Sequence, residues 1–348
     1  MTVREDLSEV TMQSSNRLID VDNLRVQFHI PQGIVRAVDG VSFGINRGGS
    51  LGVVGESGCG KSVTALSLML LHPQPEARIA AGEIIYHPKD SSPIDVTALD
   101  IFGEGIRDIR GKEIAMIFQE PMTSLSPVYT IGQQIVEGIR LHQDLDKKEA
   151  RELAIQMLHQ VKMSAPEQRV DEYPHQLSGG MRQRAMIALA LSCKPSLLIA
   201  DEPTTALDVT IEAQILALIQ ELQQKFGMSL MIITHDLGVV GEMADYVIVM
   251  YVGKIVEKAR TKELFENPLH PYTRALFRSL PKIGDRQRLK SIPGSVPNPY
   301  QLPRGCSFQG RCEEMLGECR EKEPPPCHVA GDHLVYCWKY YRTVESNR

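Results

Sequence analysis

Leu51-Gly52-Val53-Val54-Gly55-Glu56-Ser57-Gly58-Cys59-Gly60-Lys61-Ser62 runs from a short apolar stretch into a glycine-rich turn closed by lysine and serine. Residues 55–62 fit G-x-x-x-x-G-K-[ST], and 63–71 continue with helical spacing. The glycines let successive N–H groups converge on phosphate oxygens, and a helix start adds the positive end of its dipole. Lys61 supplies a point charge and Ser62 a hydroxyl for Mg2+. Each part answers a feature of a nucleoside triphosphate. By composition alone the pattern arises in roughly one chain in a hundred of this length. The bland alternative is a glycine turn between core elements. Cys59 falls at a variable position and reads as a small loop residue rather than a nucleophile.

Working outward, short β-rich runs alternate with helix-period segments from about 18 to 259, the pattern of an α/β domain with a largely parallel sheet. Runs 51–54, 197–200, 230–234 and 246–251 are almost continuously apolar, as strands covered on both faces should be. Residues 123–184 are mainly helical in pattern. Within them, Ala150, Leu153, Ala154, Met157, Leu158 and Val161 recur at intervals of three and four, which predicts a helix over 147–161 in an inserted helical subdomain. After Leu280, Pro293, Pro297, Pro299 and Pro303 predict an extended linker. The expected organisation is a flexible N-terminus (1–16), an α/β phosphate-loop domain (17–260) and a small loop-rich C-terminal cysteine module (261–348).

With 348 residues, 43% hydrophobic, 23% charged and a net charge of -5, the chain has the composition of a soluble globular protein. No global positive field draws it to a phosphate backbone, which weighs against nucleic acid as a partner. Residues 1–16 lack the apolar core of a secretory signal, and the longest apolar stretch, 185–200, is broken by Lys194 and Pro195. Any membrane role is therefore expected to come from partners.

Residues 197–202, Leu-Leu-Ile-Ala-Asp-Glu, form an apolar strand ending in two carboxylates. The carboxyl ends of parallel strands share one sheet edge, so Asp201 is expected to face Mg2+ and Glu202 an attacking water as general base. Alone, such a pair is more often a solvated turn. Leu177-Ser178-Gly179-Gly180-Met181-Arg182-Gln183-Arg184 opens another helical run, and serine before two glycines makes either a plain cap or a second anion site. One domain cannot turn both anion sites on one triphosphate without a partner.

This ordered set closely resembles the ATP-binding subunits of ATP-binding cassette (ABC) transporters over about 18–258. Beyond the phosphate loop, Gln119 in Ile117-Phe118-Gln119-Glu120-Pro121 matches the glutamine loop and 177–183 the signature motif. Asp201 and Glu202 match the Walker B end, Ala206-Leu207-Asp208 the dimer-contact loop, and His235 in Ile233-Thr234-His235-Asp236 the switch histidine. Met181 departs from the glutamine common in the family. The resemblance implies a head-to-tail pair of subunits with two ATP molecules between them, each held by one phosphate loop and the partner's Ser178, Gly179 and Gly180. It implies that Gln119 senses Mg2+ and water, that His235 contacts the γ-phosphate, and that Phe28 stacks on adenine. For Phe28 a core phenylalanine of an edge strand remains the alternative.

Residues 120–127 and 267–273 look like the oligopeptide, dipeptide and nickel importer branch. That branch implies a homologous ATPase partner, two transmembrane permeases, an extracytoplasmic substrate-binding protein and a place at the cytoplasmic face of the inner membrane. A soluble cassette ATPase acting on DNA or ribosomes is the rival class, disfavoured by the single cassette, the lack of a coiled coil and the negative charge.

Five cysteines crowd the C-terminal region. Cys306 and Cys312 are separated by five residues, Cys312 and Cys319 by six, with Cys327 and Cys337 following. Four thiolates can hold Zn2+ or a [4Fe-4S] cluster, and the lack of C-x2-C pairs weighs against a zinc ribbon. The branch resemblance implies a [4Fe-4S] cluster on Cys306, Cys312, Cys319 and Cys337, with Cys327 the alternative fourth ligand. Its expected role is structural, with redox sensing a weaker possibility.

Overall fold

The computed structural model describes residues 16–119, 124–205, 207–279 and 292–346. Outside them lie the expected flexible N-terminus except Asn16, residues 120–123 of the branch motif, Ala206, and 280–291 at the start of the proline-rich linker. The strands are β1 (Arg17–Ile30), β2 (Gly33–Asn46), β3 (Ser50–Val54), β4 (Ala77–Tyr86), β5 (Ile94–Asp95), β6 (Ile114–Ile117), β7 (Leu197–Asp201), β8 (Ser229–Thr234), β9 (Tyr246–Tyr251), β10 (Lys254–Arg260), β11 (Cys327–Ala330) and β12 (His333–Val335). The chain divides into two compact units. Among the described residues the first comprises 16–19, 44–50 and 85–233, and the second 20–43, 51–84 and 234–346.

In the first unit, β6, β7 and β8 pair in parallel, with Ile114 opposite Leu197 and Leu197 opposite Ser229. Every residue of the three strands is buried, as their apolar runs require. Helices Ile131–His142, Lys147–Gln160 and Gly179–Leu191 pack on one another and make the helical subdomain. Their starts are written in sequence. Thr130 and Gln133 form one capping box, Asp146 and Glu149 another. The helix at Lys147 buries Ala150, Ala154, Met157 and Leu158, and Val161 at its C-cap is buried too, five of the six positions that its spacing singles out. Helix Val209–Phe226 ends at Gly227, whose φ of 63° suits a left-handed cap.

In the second unit, β2, β1 and β4 lie side by side in that order, and a separate set runs β11-β12-β10-β9-β3. There β3 and β9 are parallel, whereas β9–β10, β10–β12 and β12–β11 are antiparallel. The C-terminal region thus contributes two strands, with Val335 opposite Glu257. Val54, Val240, Val249, Tyr251, Tyr272 and Phe308 share one core, which ties the strand before the phosphate loop to that region. Between 292 and 326 the regular structure consists of two short 3-10 turns, Gln309–Arg311 and Gly317–Arg320. No helix among the described residues is long and apolar enough to cross a membrane.

Candidate nucleotide site

In the second unit, β3 leads into the loop 55–60 and helix Lys61–Ser67. Gly60 turns the corner at φ 100°, and a Cβ there would lie 2.3 Å from the Ala37 carbonyl oxygen, so a side chain is excluded twice over. The loop is anchored along its length. Cys59 O accepts from Gly253 N at 2.9 Å, and Gly60 O accepts from both Thr64 N and Thr64 Oγ1 at 2.9 Å. Lys61 is buried and its Nζ donates to Gly55 O (2.7 Å) and Glu56 O (3.1 Å). The loop therefore already holds its cation on its own backbone carbonyls. Burial pushes the Cys59 thiol up despite the opposing Lys61 charge, so it lacks the depressed pKa of a reactive thiol. Ser62 opens the helix beside Lys61, and Phe28 lies half-buried in β1. His235 is exposed at the turn before helix Leu237–Met243, which Asp236 caps through Gly238 N at 2.7 Å.

In the first unit, β7 delivers Asp201, 4% exposed, and then Glu202. Glu202 takes φ 46°, which costs a residue with a Cβ roughly 1–3 kcal/mol and occurs where surrounding contacts enforce it. Its N–H is held by Ile233 O at 2.8 Å, and its Oε2 accepts from Gln119 Nε2 and from Thr205 Oγ1, both at 3.0 Å. The fold thus brings together the glutamine and the carboxylate singled out in sequence, 83 positions apart. Ser178 caps helix Gly179–Leu191, its Oγ accepting from Met181 N at 3.4 Å. Gly180 approaches Ile211 so closely that a Cβ would meet Ile211 Cγ2 at 3.0 Å. Asp208 is exposed at the start of Val209–Phe226 and gives no side-chain cap.

The cysteine expectation is corrected. Cys306, Cys312, Cys319 and Cys337 do line one cavity, but it measures about 10 Å3, room for one water at most. Burial pushes the Cys306 thiol up to about 12 and Cys337 up to about 11, and raises Cys312 as well. Among the described residues no group of three or more His, Cys, Asp or Glu side chains is arranged to hold a metal ion. With no such arrangement among the described residues, the [4Fe-4S] assignment fails and redox sensing through it fails too. Cys327 is no substitute, being buried in β11 against Leu269 and Val335. All seven cysteines are free thiols.

Other residues matter here that sequence reading passed over. Gln183, 1% exposed, donates from Nε2 to Pro203 O and so ties the signature helix to the turn after Glu202. Its place in the 177–184 motif was the available signal. Arg311 pairs with Glu56, and Tyr272 Oη accepts from Glu56 N at 2.8 Å. Glu257, wholly buried, accepts from Leu269 N and His270 N and faces His333. No local pattern announces these long-range pairs.

Comparison with known proteins finds the ABC transporter family model over residues 38–205, and the model for the oligopeptide/dipeptide transporter C-terminal region over 256–319. Similar proteins include a probable peptide ABC transporter ATP-binding protein, y4tR, of Sinorhizobium fredii (50% identical, covering 96% of this chain and 99% of that one). The oligopeptide transport ATP-binding protein AppD of Bacillus subtilis is 50% identical over 93% of this chain and 97% of its own length. The dipeptide transport ATP-binding protein DppD of Escherichia coli is 49% identical over 88% and 92%. Among solved structures, the dimeric post-hydrolysis ATP-binding cassette MJ0796 bound to ADP and Pi matches with TM-score 0.61 and 25% identity, covering 70% of this chain and 99% of that one.

Proposed function

The chain belongs to the ABC transporter family, in its oligopeptide and dipeptide branch, and from that premise we propose how its residues drive transport. It is the ATP-binding, ATP-hydrolysing motor subunit of an importer for peptide-type substrates, built on a phosphate-loop cassette with a helical subdomain. The amides of 55–60 and Lys61 hold the triphosphate. Ser62 and Asp201 offer hydroxyl and carboxylate oxygens, the hard donors that Mg2+ takes, with Gln119 beside them in role. Bound Mg2+ supplies charge neutralisation on the phosphate oxygens. Phe28 stacks on adenine, and His235 orients the γ-phosphate.

Glu202 is the general base, accepting a proton from the attacking water while the water oxygen bonds to the γ-phosphorus and the bond to the β,γ-bridging oxygen breaks, leaving ADP and phosphate. Gln119 and Thr205 fix which carboxylate oxygen faces the reaction. Catalysis is positioning and electrostatics, with no covalent intermediate. Ser178, Gly179 and Gly180 serve the nucleotide of a second cassette, and Asp208 belongs to the contact between them, a reading supported by the dimeric ADP-bound relative. That second cassette is a homologous chain. Two permeases and an extracytoplasmic binding protein complete the importer, with this subunit at the cytoplasmic face of the inner membrane. We divide the chain into an N-terminal tail (1–16), the cassette (17–260, helical subdomain 123–184) and a loop-rich cysteine-containing module (261–348), a division supported by the sparse regular structure over 292–326.

One observation carries this reading, the Glu202 carboxylate held at a strained backbone by Gln119 and Thr205. Glu202→Gln should bind ATP like the parent and lose about 10²-fold or more in turnover, the usual worth of a positioned base. Hydrolysis at the parental rate would reject Glu202 as the base.

A further inference from the structure

Glu56, the second residue of the phosphate loop, is gripped at every polar group. Its carbonyl accepts from Lys61 Nζ (3.1 Å) and Cys59 N (3.3 Å), and its N–H donates to Tyr272 Oη at 2.8 Å. Its carboxylate receives both arms of Arg311, Nη1 to Oε2 at 2.6 Å and Nη2 to Oε1 at 3.0 Å. Arg311 comes from the C-terminal region, 255 positions away, and its side chain is 6% exposed. The guanidinium is itself fixed, donating from Nε to Pro293 O at 3.0 Å and from Nη1 to Tyr251 Oη at 3.3 Å, with its carbon 5.8 Å from the Tyr251 ring centre. Tyr272 is fully buried in the core with Tyr251 and Phe308.

A carboxylate within a loop that receives a polyphosphate works against binding, because like charges repel most where water is thin. A bidentate guanidinium removes that penalty and fixes direction as well, which a point charge does not. The loop also contains glycines at 55, 58 and 60, so ordering it on binding costs free energy that a pre-set backbone saves. We propose that the C-terminal region sets ATP affinity, with Arg311 and Tyr272 as positioning residues that neutralise Glu56 and hold the phosphate loop in its binding shape. This rests on reading 55–62 as the ATP site. By linkage, bound ATP must in turn favour the seated position of Arg311.

The test is calorimetric titration of MgATP into the full-length chain, with thermal unfolding as the control for folding. Arg311→Gln should weaken ATP about tenfold, within the ordinary range of coupling between sites. Glu56→Gln combined with Arg311→Gln should recover most of that loss, because the unneutralised carboxylate is gone. Lost packing alone would not be rescued by a second substitution. Tyr272→Phe keeps the ring in the core, removes one hydrogen bond and should weaken ATP about threefold by the same linkage, which keeps the proposal testable if Arg311→Gln does not fold. Unchanged affinity in both Arg311→Gln and Tyr272→Phe overturns the proposal, as does a double variant no better than Arg311→Gln. Lys61→Ala separates the two levels. If it too leaves ATP affinity unchanged, the ATP-site reading has failed, not merely the role of Arg311.

Discussion

Replacing Glu257 by leucine should detach the C-terminal region while the apolar core stays intact. Glu257 lies in β10 with 0% exposure, and its carboxylate accepts from Leu269 N at 2.7 Å, His270 N at 2.8 Å and His333 Nε2 at 2.8 Å. His333 is 1% exposed and presents its other ring nitrogen to Glu263 Oε1 at 3.3 Å. Burial by itself lowers the His333 pKa, but the hydrogen bond and charge of Glu257, with Glu263 behind them, raise it overall. Leucine keeps the volume, yet it leaves two buried N–H groups without their carboxylate and takes from His333 its 2.8 Å partner. Removing one member of a buried pair costs about 3–5 kcal/mol, and hydrogen bonds to a charged group are worth about 1.5–3 each, so a loss near 4 kcal/mol is expected.

The chain supplies its own reporter. Trp338, its single tryptophan, opens the C-terminal helix and donates from Nε1 to Lys322 O at 3.0 Å. Its fluorescence follows the C-terminal region, while circular dichroism follows the whole chain, a needed distinction because two units need not unfold together. With a urea slope of about 2 kcal/mol per molar, 4 kcal/mol moves the fluorescence midpoint down by roughly 2 M. A midpoint within about 0.5 M of the parent would mean that the carboxylate contributes little net of its desolvation, and the argument would be wrong.

The same site predicts a pH dependence. Because the folded His333 pKa lies above its unfolded value of about 6.5, its stabilisation is complete below that value and is lost as pH rises through the folded one. Fluorescence midpoints should therefore fall on the alkaline side, and His333→Gln should flatten the profile; a parental profile in that variant contradicts the assignment. Gly60→Ala should weaken ATP at least tenfold, since φ 100° costs about 1–3 kcal/mol with a Cβ and the Ala37 oxygen stands 2.3 Å away. Undiminished affinity on titration would count against the loop geometry. Cys306, pushed up to about 12, carries thiolate at only about one part in ten thousand at pH 8, so iodoacetamide should label it far more slowly in the native chain than in urea. Equal rates would show that the thiol is neither buried nor protonated.

What was legible from sequence is what is encoded by contiguous pattern. The apolar run 246–251 is β9 residue for residue, 197–200 is β7 less Asp201, and the helix expected over 147–161 spans Lys147–Gln160. Period and capping chemistry act over a few residues, so they can be read in order along the chain. Arg311 and Glu257 left no such trace. Each is a lone charge whose partner lies far off in sequence, and an isolated arginine before Cys312 looks like any solvated surface residue until folding buries it. The cysteines failed differently. The branch resemblance named four of them, and those four do line one cavity, but spacing is silent about the volume they enclose: it is about 10 Å3, and no metal-holding group is arranged among the described residues.

Glu56 and Glu202 are held by different groups, and the proposed roles call for different things from each carboxylate. Glu56 meets a permanent cation in bidentate geometry, which offsets its charge and fixes its direction. The bonds from Gln119 and Thr205 to Glu202 come from an amide and a hydroxyl, which direct its Oε2. The role proposed for Glu202 needs an oriented oxygen that can still accept a proton, which an amide and a hydroxyl donor allow. A carboxylate that only shapes a loop has no such need, and leaving it unpaired would repel the very anion the loop is built to hold. The C-terminal region contacts the binding loop through Arg311 and Tyr272, so on the proposed reading changes in that region should show in ATP affinity first and in the rate of the chemical step second.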